Sequence, residues 1–436
     1  MVLFRGPALR GPAIPFMNVR LAYGQGHLEI DLPDDRTTVI QPSHRPGLAD
    51  EKAAILRALR EPIDSAPLLS RIKPTDKICI LFTDISRATP NHRILPWLLE
   101  HLGSHPRENI VLLNQTGTHR PNTRAELERM LTPEIVRDYR VVNHECEKDE
   151  DLVQLGVTRD GTPAMLNRLA IEADIRIVTG FIEPHFFAGF SGGPKGLMPG
   201  VAGLKTVMSN HGYHNIGDPR ATFGITVGNP LWEELRDIAL RTGPAFLLNV
   251  TLNEQREITN VFAGDLLGAH KVGIEYVRTS AMQKVKAPFE VVVTTNSGYP
   301  LDLNLYQGVK GMSAGARIIT EGGTLILAAE CREGIPSGSP LDKLLRSGRS
   351  SEEILAMLAT PGFVRPEQWQ AQIQALVQRR AKVLVHSSLS DELIRIAHLE
   401  PCPDIGAAVR TELARFGPDA RVAVLPQGPL TIPYLA

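Results

Sequence analysis

The sequence has few cysteines, no excess of either charge and no long apolar run, and each absence excludes a class of protein. Its four cysteines lie far apart without a Cys-x-x-Cys pair, so neither a disulfide framework nor a cysteine-ligated zinc site is expected. Lys and Arg number 47 against 48 Asp and Glu, which leaves no basic excess for binding nucleic acid. No stretch approaches the ~18 consecutive apolar residues of a membrane-spanning helix.

The amino-terminal segment does not have the pattern of a signal peptide. Its apolar run is broken by Arg5, Pro7, Arg10 and Pro12. Together with the scattered cysteines, this predicts a cytoplasmic protein that has neither a membrane nor a nucleic acid as partner.

Short apolar runs alternate with amphipathic segments along the chain, a pattern typical of parallel α/β proteins. The 436 residues suffice for two or three domains. We predict two α/β domains with mainly parallel sheets, residues 1–280 and 281–436, with the active site in the cleft between them. The clearest predicted helices are residues 94–103, 366–381 and 405–416, and the strands are residues 77–83, 109–114, 174–182, 289–295, 323–329, 382–388 and 421–426.

Two polar segments directly follow predicted strands, where ligands of parallel α/β sheets bind. One contains His119, which could act as an acid or base because the ordinary pKa of histidine is near neutral, although a plain loop histidine fits as well. The other segment, residues 84–90, combines a carboxylate, two hydroxyls and a guanidinium, which suits a phosphorylated or carboxylate ligand, although a capped turn explains it too. It contains Asp84, Ile85, Ser86 and Arg87.

Residues 180–203 contain seven glycines that frame His185 and Lys195. Glycine lets a backbone approach a ligand closely, so this segment favours a binding site over a merely flexible loop. It is not a Walker A loop, because Pro194 precedes the lysine.

His211 and His214 would reach one metal ion if the segment between them were helical, but such a pair is structural about as often. Farther along, residues 296–317 would form a helix with a phenol, an amide and an ammonium on one face. That face suits a small carboxylate, and a solvated helix face is the alternative. Its side chains are Tyr306, Gln307 and Lys310.

Singly, these segments indicate only an α/β enzyme with a site for a small anion. Together, the motifs DxSR, GTHR, EPHFFAGFSGGPKGLMPG, NH and GYPLDxNxYQxVKGM, in this order between residues 84 and 312, resemble the lactate racemase family. Members of that family use a nickel-pincer nucleotide. The resemblance covers essentially the whole chain, more loosely in the first ~20 residues and the C-terminal third. One departure is Ala88, where many members have proline.

The resemblance implies how a cofactor is held. Lys195 would carry the nickel-pincer nucleotide, a nickel pyridinium-3,5-bisthiocarboxylate mononucleotide, through a covalent thioamide-type link. His211 would be the protein ligand of the nickel, and the cofactor's sulfur–carbon–sulfur pincer would supply the other three donors. The nucleotide would be held by Asp84, Ile85, Ser86 and Arg87.

The resemblance also implies a racemase or epimerase of a short 2-hydroxy acid, lactate or malate, that works by reversible hydride transfer to the cofactor. His119 and His185 would be the two acid/base groups, one for each enantiomer. The N-terminal domain would be catalytic and the C-terminal domain would contribute substrate-binding residues. The substrate would be bound by Arg87, Tyr306, Gln307, Lys310 and, with its ring as a pocket wall, Trp369.

Maturation would require cofactor-synthesis enzymes as partners. Malate would need a further cation, for which Arg120, Lys205 and Arg365 are candidates. Two other functions remain open from the residues alone: a metal-dependent hydrolase or lyase that uses the histidine cluster, and a non-catalytic carrier of the nickel nucleotide.

Overall fold

The computed structural model describes residues 16–435. The large unit comprises Pro42–Gln283 and Ser347–Ala375. The small unit comprises the described residues up to Gln41, Lys284–Arg346, and the described residues from Leu376 onward. The expectation that no signal peptide is present concerns a segment that lies almost wholly outside the described residues. Within them, no helix is long and apolar enough to cross a membrane.

The two units are assembled from separated stretches, whereas the sequence predicted two consecutive spans, 1–280 and 281–436. The difference at the amino-terminal end has a simple cause. Thr37–Val39 pairs in parallel with Val422–Leu425, so the described residues up to Gln41 belong to the small unit, and the large unit starts at Pro42. Lys284 begins the second stretch of the small unit, close to the predicted boundary.

The large unit is built on a six-stranded sheet that is parallel except at one edge. The antiparallel edge pair, Phe246–Leu252 and Ile258–Asp265, was not predicted from the sequence, whereas three of the four remaining strands were. In spatial order the strands are Ile258–Asp265, Phe246–Leu252, Ile175–Phe181, Ile78–Thr83, Ile110–Gln115 and Arg140–Asn143.

Local sequence explains the elements at the centre of this sheet. In Ile78–Thr83 every residue but the last is buried, because the strand is covered on both faces and its apolar run is continuous. The helix Asn91–Leu102 buries one apolar stripe and ends at Gly103, which has a positive φ of 59°. Both elements contribute to one core cluster.

Around the sheet lie helices and two short antiparallel ladders. One ladder pairs Leu152–Val157 with Pro163–Asn167, and the other pairs Pro184–His185 with Gly189–Phe190. The helices are Glu51–Arg60, Asn91–Leu102, Arg124–Leu131, Pro133–Asp138, Arg168–Ile171, Leu204–Asn210, Tyr213–Gly217, Pro230–Leu240, Gly268–Ala281, Ser351–Leu358 and Gln368–Arg380.

The small unit contains a second six-stranded sheet, in which all neighbouring strands are parallel. Its four long strands lie at the predicted positions. In spatial order the strands are Glu400–Pro401, Ala381–His386, Ile319–Ala328, Phe289–Thr295, Val422–Leu425 and Thr37–Val39.

The hairpin Phe16–Tyr23 and Gly26–Pro33 contributes to the core of the small unit together with that sheet. The helix Ile405–Phe416 packs there through Ile405, Val409 and Leu413, as its periodicity predicts. The other helices are Leu305–Gly315, Pro340–Ser347 and Asp391–Ile396, and short strands occur at Met282–Val285 and Ile432–Leu435.

The large sheet brings three predicted functional segments to one edge. Ile175–Phe181, Ile78–Thr83 and Ile110–Gln115 are adjacent and parallel, so the segments that follow them begin at the same carboxyl edge. This is where ligands bind in open α/β sheets.

Candidate active site

Asp84 and His119 form a hydrogen-bonded pair at the carboxyl edge of the large sheet. The Nδ1 of His119 lies 2.8 Å from the Oδ2 of Asp84. The hydroxyl of Ser86 donates to the other carboxylate oxygen at 2.9 Å, and the Nε of Arg87 is 3.9 Å from that same oxygen. Ile85 contributes its backbone N–H, which donates to the amide oxygen of Asn122 at 3.3 Å. Thus the predicted strand-end segment closes around the predicted acid/base histidine.

The pair has a defined proton arrangement. Burial opposes ionisation of Asp84, but the charge and hydrogen bond of His119, the charge of Arg87 and the Ser86 hydroxyl outweigh it and hold the pKa of Asp84 below its ordinary value. Because an ionised carboxylate only accepts hydrogen bonds, the Nδ1 of His119 must carry the proton. In the neutral imidazole the Nε2 of His119 is then the basic nitrogen.

The glycine-rich segment folds back on itself after Ile175–Phe181. His185 lies in the short ladder, where it is buried to 8% exposure, and the N–H of Ala188 donates to its Nδ1 at 3.3 Å. An Nδ1 that accepts a hydrogen bond leaves the proton of the neutral ring on Nε2. His119 and His185 therefore have opposite tautomers, one with a basic Nε2 and the other with an Nε2–H donor.

The ring of Phe187 contacts three of the predicted site residues. Its ring is 4.6 Å from that of His185 and 5.0 Å from that of His211, centroid to centroid, with edge-on geometry in both cases. The Nζ of Lys195 is 5.7 Å from the centroid of the same ring. Lys195 itself is half-buried in the turn Gly193–Gly196. One aromatic side chain thus gathers two histidines and the lysine.

His211 has the properties of a neutral nitrogen ligand. It is 4% exposed, and its ring packs edge-on against Trp369 at 5.2 Å. Burial, with a smaller contribution from the charge of Lys195, lowers its pKa to about 3. Its Nδ1 has no hydrogen-bond partner among the described residues. A buried imidazole that stays unprotonated and has an unsatisfied nitrogen fits the role of a ligand to a metal ion.

His211 and His214 do not share a helix, so the condition under which both could reach one metal ion is not met. The helix Leu204–Asn210 ends before His211, and a new helix begins at Tyr213, so the two rings do not follow i, i+3 geometry. His211 is buried whereas His214 is exposed. Among residues 16–435, no three His, Cys, Asp or Glu side chains are grouped so that they could hold a metal ion.

The predicted substrate-binding residues of the small unit lie on the helix Leu305–Gly315. Asn304 caps this helix by accepting from the N–H of Gln307 at 3.1 Å. The Nζ of Lys310 donates to the Oε1 of Gln307 at 2.6 Å, so the two side chains share a face as the i, i+3 spacing predicts. Tyr306 on this helix is half-buried.

Two buried polar residues beside the lysine were missed by sequence reasoning. Asn249 lies on Phe246–Leu252, a strand that was not predicted, and His270 lies in the first turn of Gly268–Ala281. A polar residue in the middle of the apolar run FLLNVTL was the available signal for Asn249. No local pattern marks His270.

Fold and site together define an α/β enzyme with two histidines of opposite tautomer, a lysine in a glycine-rich turn and a buried neutral histidine. Residues 23–224 match the lactate racemase N-terminal domain, and residues 284–432 match the lactate racemase C-terminal domain. The lactate racemase of Thermoanaerobacterium thermosaccharolyticum is 33% identical over 419 residues, 94% of this chain and 98% of that protein. The chain therefore belongs to the lactate racemase family, and it is an isomerase of the racemase type.

Further comparisons agree with this assignment. The lactate racemase of Lactiplantibacillus plantarum is 35% identical over 417 residues, which covers 92% of this chain and 98% of that protein. The structure of the lactate racemase apoprotein from T. thermosaccharolyticum matches with a TM-score of 0.89 at 32% identity, covering 96% of this chain and all of that one. A protein from Thermotoga maritima shares the fold, with a TM-score of 0.67 at 20% identity.

Proposed function

We propose that this protein racemises a short 2-hydroxy acid, lactate in the first place, with a nickel-pincer nucleotide bound to Lys195. The observation that carries the proposal is the arrangement around Phe187, where an acid/base histidine, a neutral buried histidine and a lysine contact one ring. Both relatives at 33–35% identity are named lactate racemases, which supports lactate as the substrate.

The residues of the large unit fit such a cofactor. His211 would bind the nickel, because its buried imidazole remains neutral and its Nδ1 is unsatisfied among the described residues. Lys195 would form the covalent link from a turn whose glycines allow close approach of the backbone. Ser86 and Arg87 would contact the nucleotide. When bound, the cofactor would supply a reversible hydride acceptor, which no protein side chain can be.

The two histidines would move the hydroxyl proton of the substrate. His119 would accept it at Nε2, because Asp84 holds the proton of the neutral ring on Nδ1. His185 would serve the oxygen of the other enantiomer. Its Nε2–H would donate a hydrogen bond to that oxygen while its Nδ1 accepts from Ala188, and it would give up the Nε2 proton only after Nδ1 has itself been protonated. The two tautomers would thus place a base on one side of the substrate and a hydrogen-bond donor on the other at the start of a turnover.

The carboxylate of the substrate would be held by cationic and amide groups. We propose Gln307 and Lys310 for this role, with Tyr306 beside them, and Arg87 as a further contact. The hydrogen bond from Lys310 to Gln307 keeps both polar heads together, which suits one carboxylate. Trp369, packed on His211, would limit the size of the group beyond Cα.

We propose lactate rather than malate because each of the three candidate cations for a second carboxylate is either engaged by another side chain or exposed. Arg120 makes a two-pronged ion pair with Glu126 at 2.6 and 2.8 Å. Arg365 stacks over the ring of Phe363 at 5.2 Å, and Lys205 is exposed on the helix Leu204–Asn210.

We propose that the enzyme acts in the cytoplasm, with cofactor-synthesis enzymes as its maturation partners.

The test is to prepare the full chain together with cofactor-synthesis enzymes and to measure three quantities. Peptide mass spectrometry should find one nucleotide adduct on Lys195, and elemental analysis should find nickel. Chiral chromatography should show that single enantiomers of lactate are racemised, in a panel that includes malate, 2-hydroxybutyrate, 2-hydroxyglutarate, phenyllactate and gluconate. Lys195→Ala should lose the adduct. An adduct that persists in this variant, or loaded protein that turns over no 2-hydroxy acid, would contradict the proposal.

A further inference from the structure

The lysine turn, residues 191–195, is held in place by side chains from two distant elements. It contains Gly192 and Gly193, whose φ angles of 75° and 56° only glycine adopts without strain. Such a turn should be mobile unless its backbone groups are bound. What binds them therefore decides how accurately Lys195 is placed.

Asn249 binds one backbone group of the lysine turn. This residue is fully buried on the strand Phe246–Leu252, beside Gly180 of the neighbouring strand. Its side-chain oxygen accepts from the N–H of Gly193 at 2.8 Å. A buried amide in the middle of an apolar strand is costly unless it forms such a bond, so the bond accounts for the polar residue at this position.

His270 binds a second backbone group of the same turn. Its Nε2 is 2.8 Å from the carbonyl oxygen of Ser191, and because a carbonyl only accepts, the proton of the ring lies on Nε2. The ring is 1% exposed and packs against Gly193 so closely that a Cβ there would lie 2.4 Å from it. The ring that binds Ser191 therefore leaves no room for a side chain at Gly193.

The two hydrogen bonds lie two residues apart in the turn and come from two different elements, a strand and a helix. Lys195 lies two residues after Gly193, and its N–H donates to the carbonyl of Gly192 at 3.2 Å. Its own carbonyl accepts from Gly200 at 3.1 Å. The lysine backbone is thus linked directly to the part of the turn that Asn249 and His270 hold.

We propose that Asn249 and His270 are positioning residues that hold the lysine turn in the conformation from which Lys195 binds the cofactor, without touching the cofactor themselves. The inference rests on the proposed role of Lys195. A displacement of about 1 Å in a reacting group can cost about a hundredfold in rate, so two anchoring bonds on a glycine turn matter for covalent attachment.

Three variants of the full chain separate positioning from a general structural role. His270→Leu removes the donor to Ser191, whereas His270→Gln retains an N–H that can reach the same carbonyl. His105→Leu is the matched control, because the Nε2 of His105 makes the same kind of bond, 2.9 Å to the carbonyl oxygen of Asp76. Asp76 precedes the strand Ile78–Thr83, so this bond lies at the end of the sheet away from the lysine turn.

The first measurement uses protein made without cofactor. The rate at which acetic anhydride acetylates Lys195 is measured and divided by the acetylation rate of the exposed Lys205 in the same sample. His270→Leu should raise this ratio by about threefold or more, because the freed turn exposes the lysine. His270→Gln and His105→Leu should keep the wild-type ratio.

The second measurement uses protein made with the cofactor-synthesis enzymes, and mass spectrometry gives the fraction that carries the adduct. His270→Leu should lower this fraction by about tenfold, and His270→Gln should restore most of it. If His270→Leu fails to fold, Asn249→Ser replaces it with the same expectations. The inference would be overturned if His270→Leu, or Asn249→Ser in its place, kept the wild-type labelling ratio and adduct fraction. It would also be overturned if His270→Gln lost as much of the adduct as His270→Leu. Absence of an adduct in the wild type would instead contradict the proposed function, and the labelling ratio would still test the anchoring bonds.

Discussion

The Nδ1 of His119 lies 2.8 Å from the Oδ2 of Asp84, and the carboxylate of Asp84 is 3% exposed. A buried anion fixed in this way orients the imidazole, selects the tautomer with a basic Nε2 and stabilises the imidazolium that forms when the ring accepts a proton. We therefore expect Asp84 to act through His119, in addition to its proposed contact with the nucleotide. This relationship was not evident from the sequence, where the two residues belong to different motifs.

Asp84→Asn should lower kcat for lactate racemisation by about 10²- to 10⁴-fold, because an amide can no longer hold the proton on Nδ1 as an anion does. Ser86→Ala removes a hydroxyl that donates to Asp84 and a proposed nucleotide contact but keeps the Asp84–His119 bond, so its effect on the rate per loaded enzyme should be smaller than that of Asp84→Asn. Chiral chromatography of single enantiomers gives the rates, and the adduct fraction confirms equal loading. A rate for Asp84→Asn within a few-fold of wild type would show that the pair is not needed.

His119→Ala and His185→Ala should each abolish net interconversion in both directions while the adduct on Lys195 still forms. Racemisation requires a proton transfer on each side of the substrate, so losing either group blocks the cycle. The measurement is racemisation from each enantiomer, normalised to adduct content. If either variant kept near wild-type turnover from both enantiomers, the corresponding histidine would have no acid/base role.

His211→Ala should reduce retained nickel strongly, because the variant lacks the proposed protein ligand. The matched control is His214→Ala, which changes an exposed histidine three residues away and should retain nickel at the wild-type level. Elemental analysis after extended dialysis, with the adduct on Lys195 measured in parallel, distinguishes metal loss from cofactor loss. Equal nickel retention in the two variants would argue against His211 as a ligand.

Lys310→Met should raise the KM for lactate by about 10- to 100-fold, since a charge-assisted hydrogen bond to a carboxylate contributes about 1.5–3 kcal/mol. Lys343→Met removes an exposed lysine of the small unit and should leave KM unchanged. Initial rates over a range of lactate concentrations are sufficient. An unchanged KM in Lys310→Met would remove this residue from the proposed carboxylate site.

The free energy of unfolding of the protein without cofactor should decrease as the pH falls from 6.5 to 4, because His270 is buried as a neutral ring. Burial lowers its pKa from 6.5 to about 4, with the bond to Ser191 opposing the shift and Lys195 adding to it. In this window the unfolded chain binds a proton that the folded chain does not, so the free energy of unfolding decreases as the pH falls.

In His270→Gln the pH dependence of the unfolding free energy should therefore be shallower by about 1.4 kcal/mol per pH unit within that window. Asn249→Ser, which loosens the same turn but keeps the histidine, should retain the wild-type slope. Urea unfolding followed at several pH values measures it. The same slope in His270→Gln and wild type would mean that His270 is not buried as a neutral ring.

Much of the architecture follows from local sequence. The continuous apolar run of Ile78–Thr83 could only be a strand covered on both faces, and the stripe and terminal glycine of Asn91–Leu102 specify a helix and its end. The strand Phe246–Leu252 was missed because Asn249 interrupts its apolar pattern. Whether His211 and His214 share a helix could not be predicted from the sequence, and they do not, because one helix ends at Asn210 and the next begins at Tyr213.

The sequence by itself determined the central strands of both sheets, the order of the motifs and the residue types at the site, because these depend on short-range patterns. Only the tertiary structure decided that Asp84 holds His119, that Phe187 gathers His185, His211 and Lys195, and that Asn249 and His270 anchor the lysine turn. Most of these contacts join residues that lie far apart in the sequence or on elements without a local signal. Their distances, their burial and hence their protonation are set by how the strands and helices pack, which no single segment encodes.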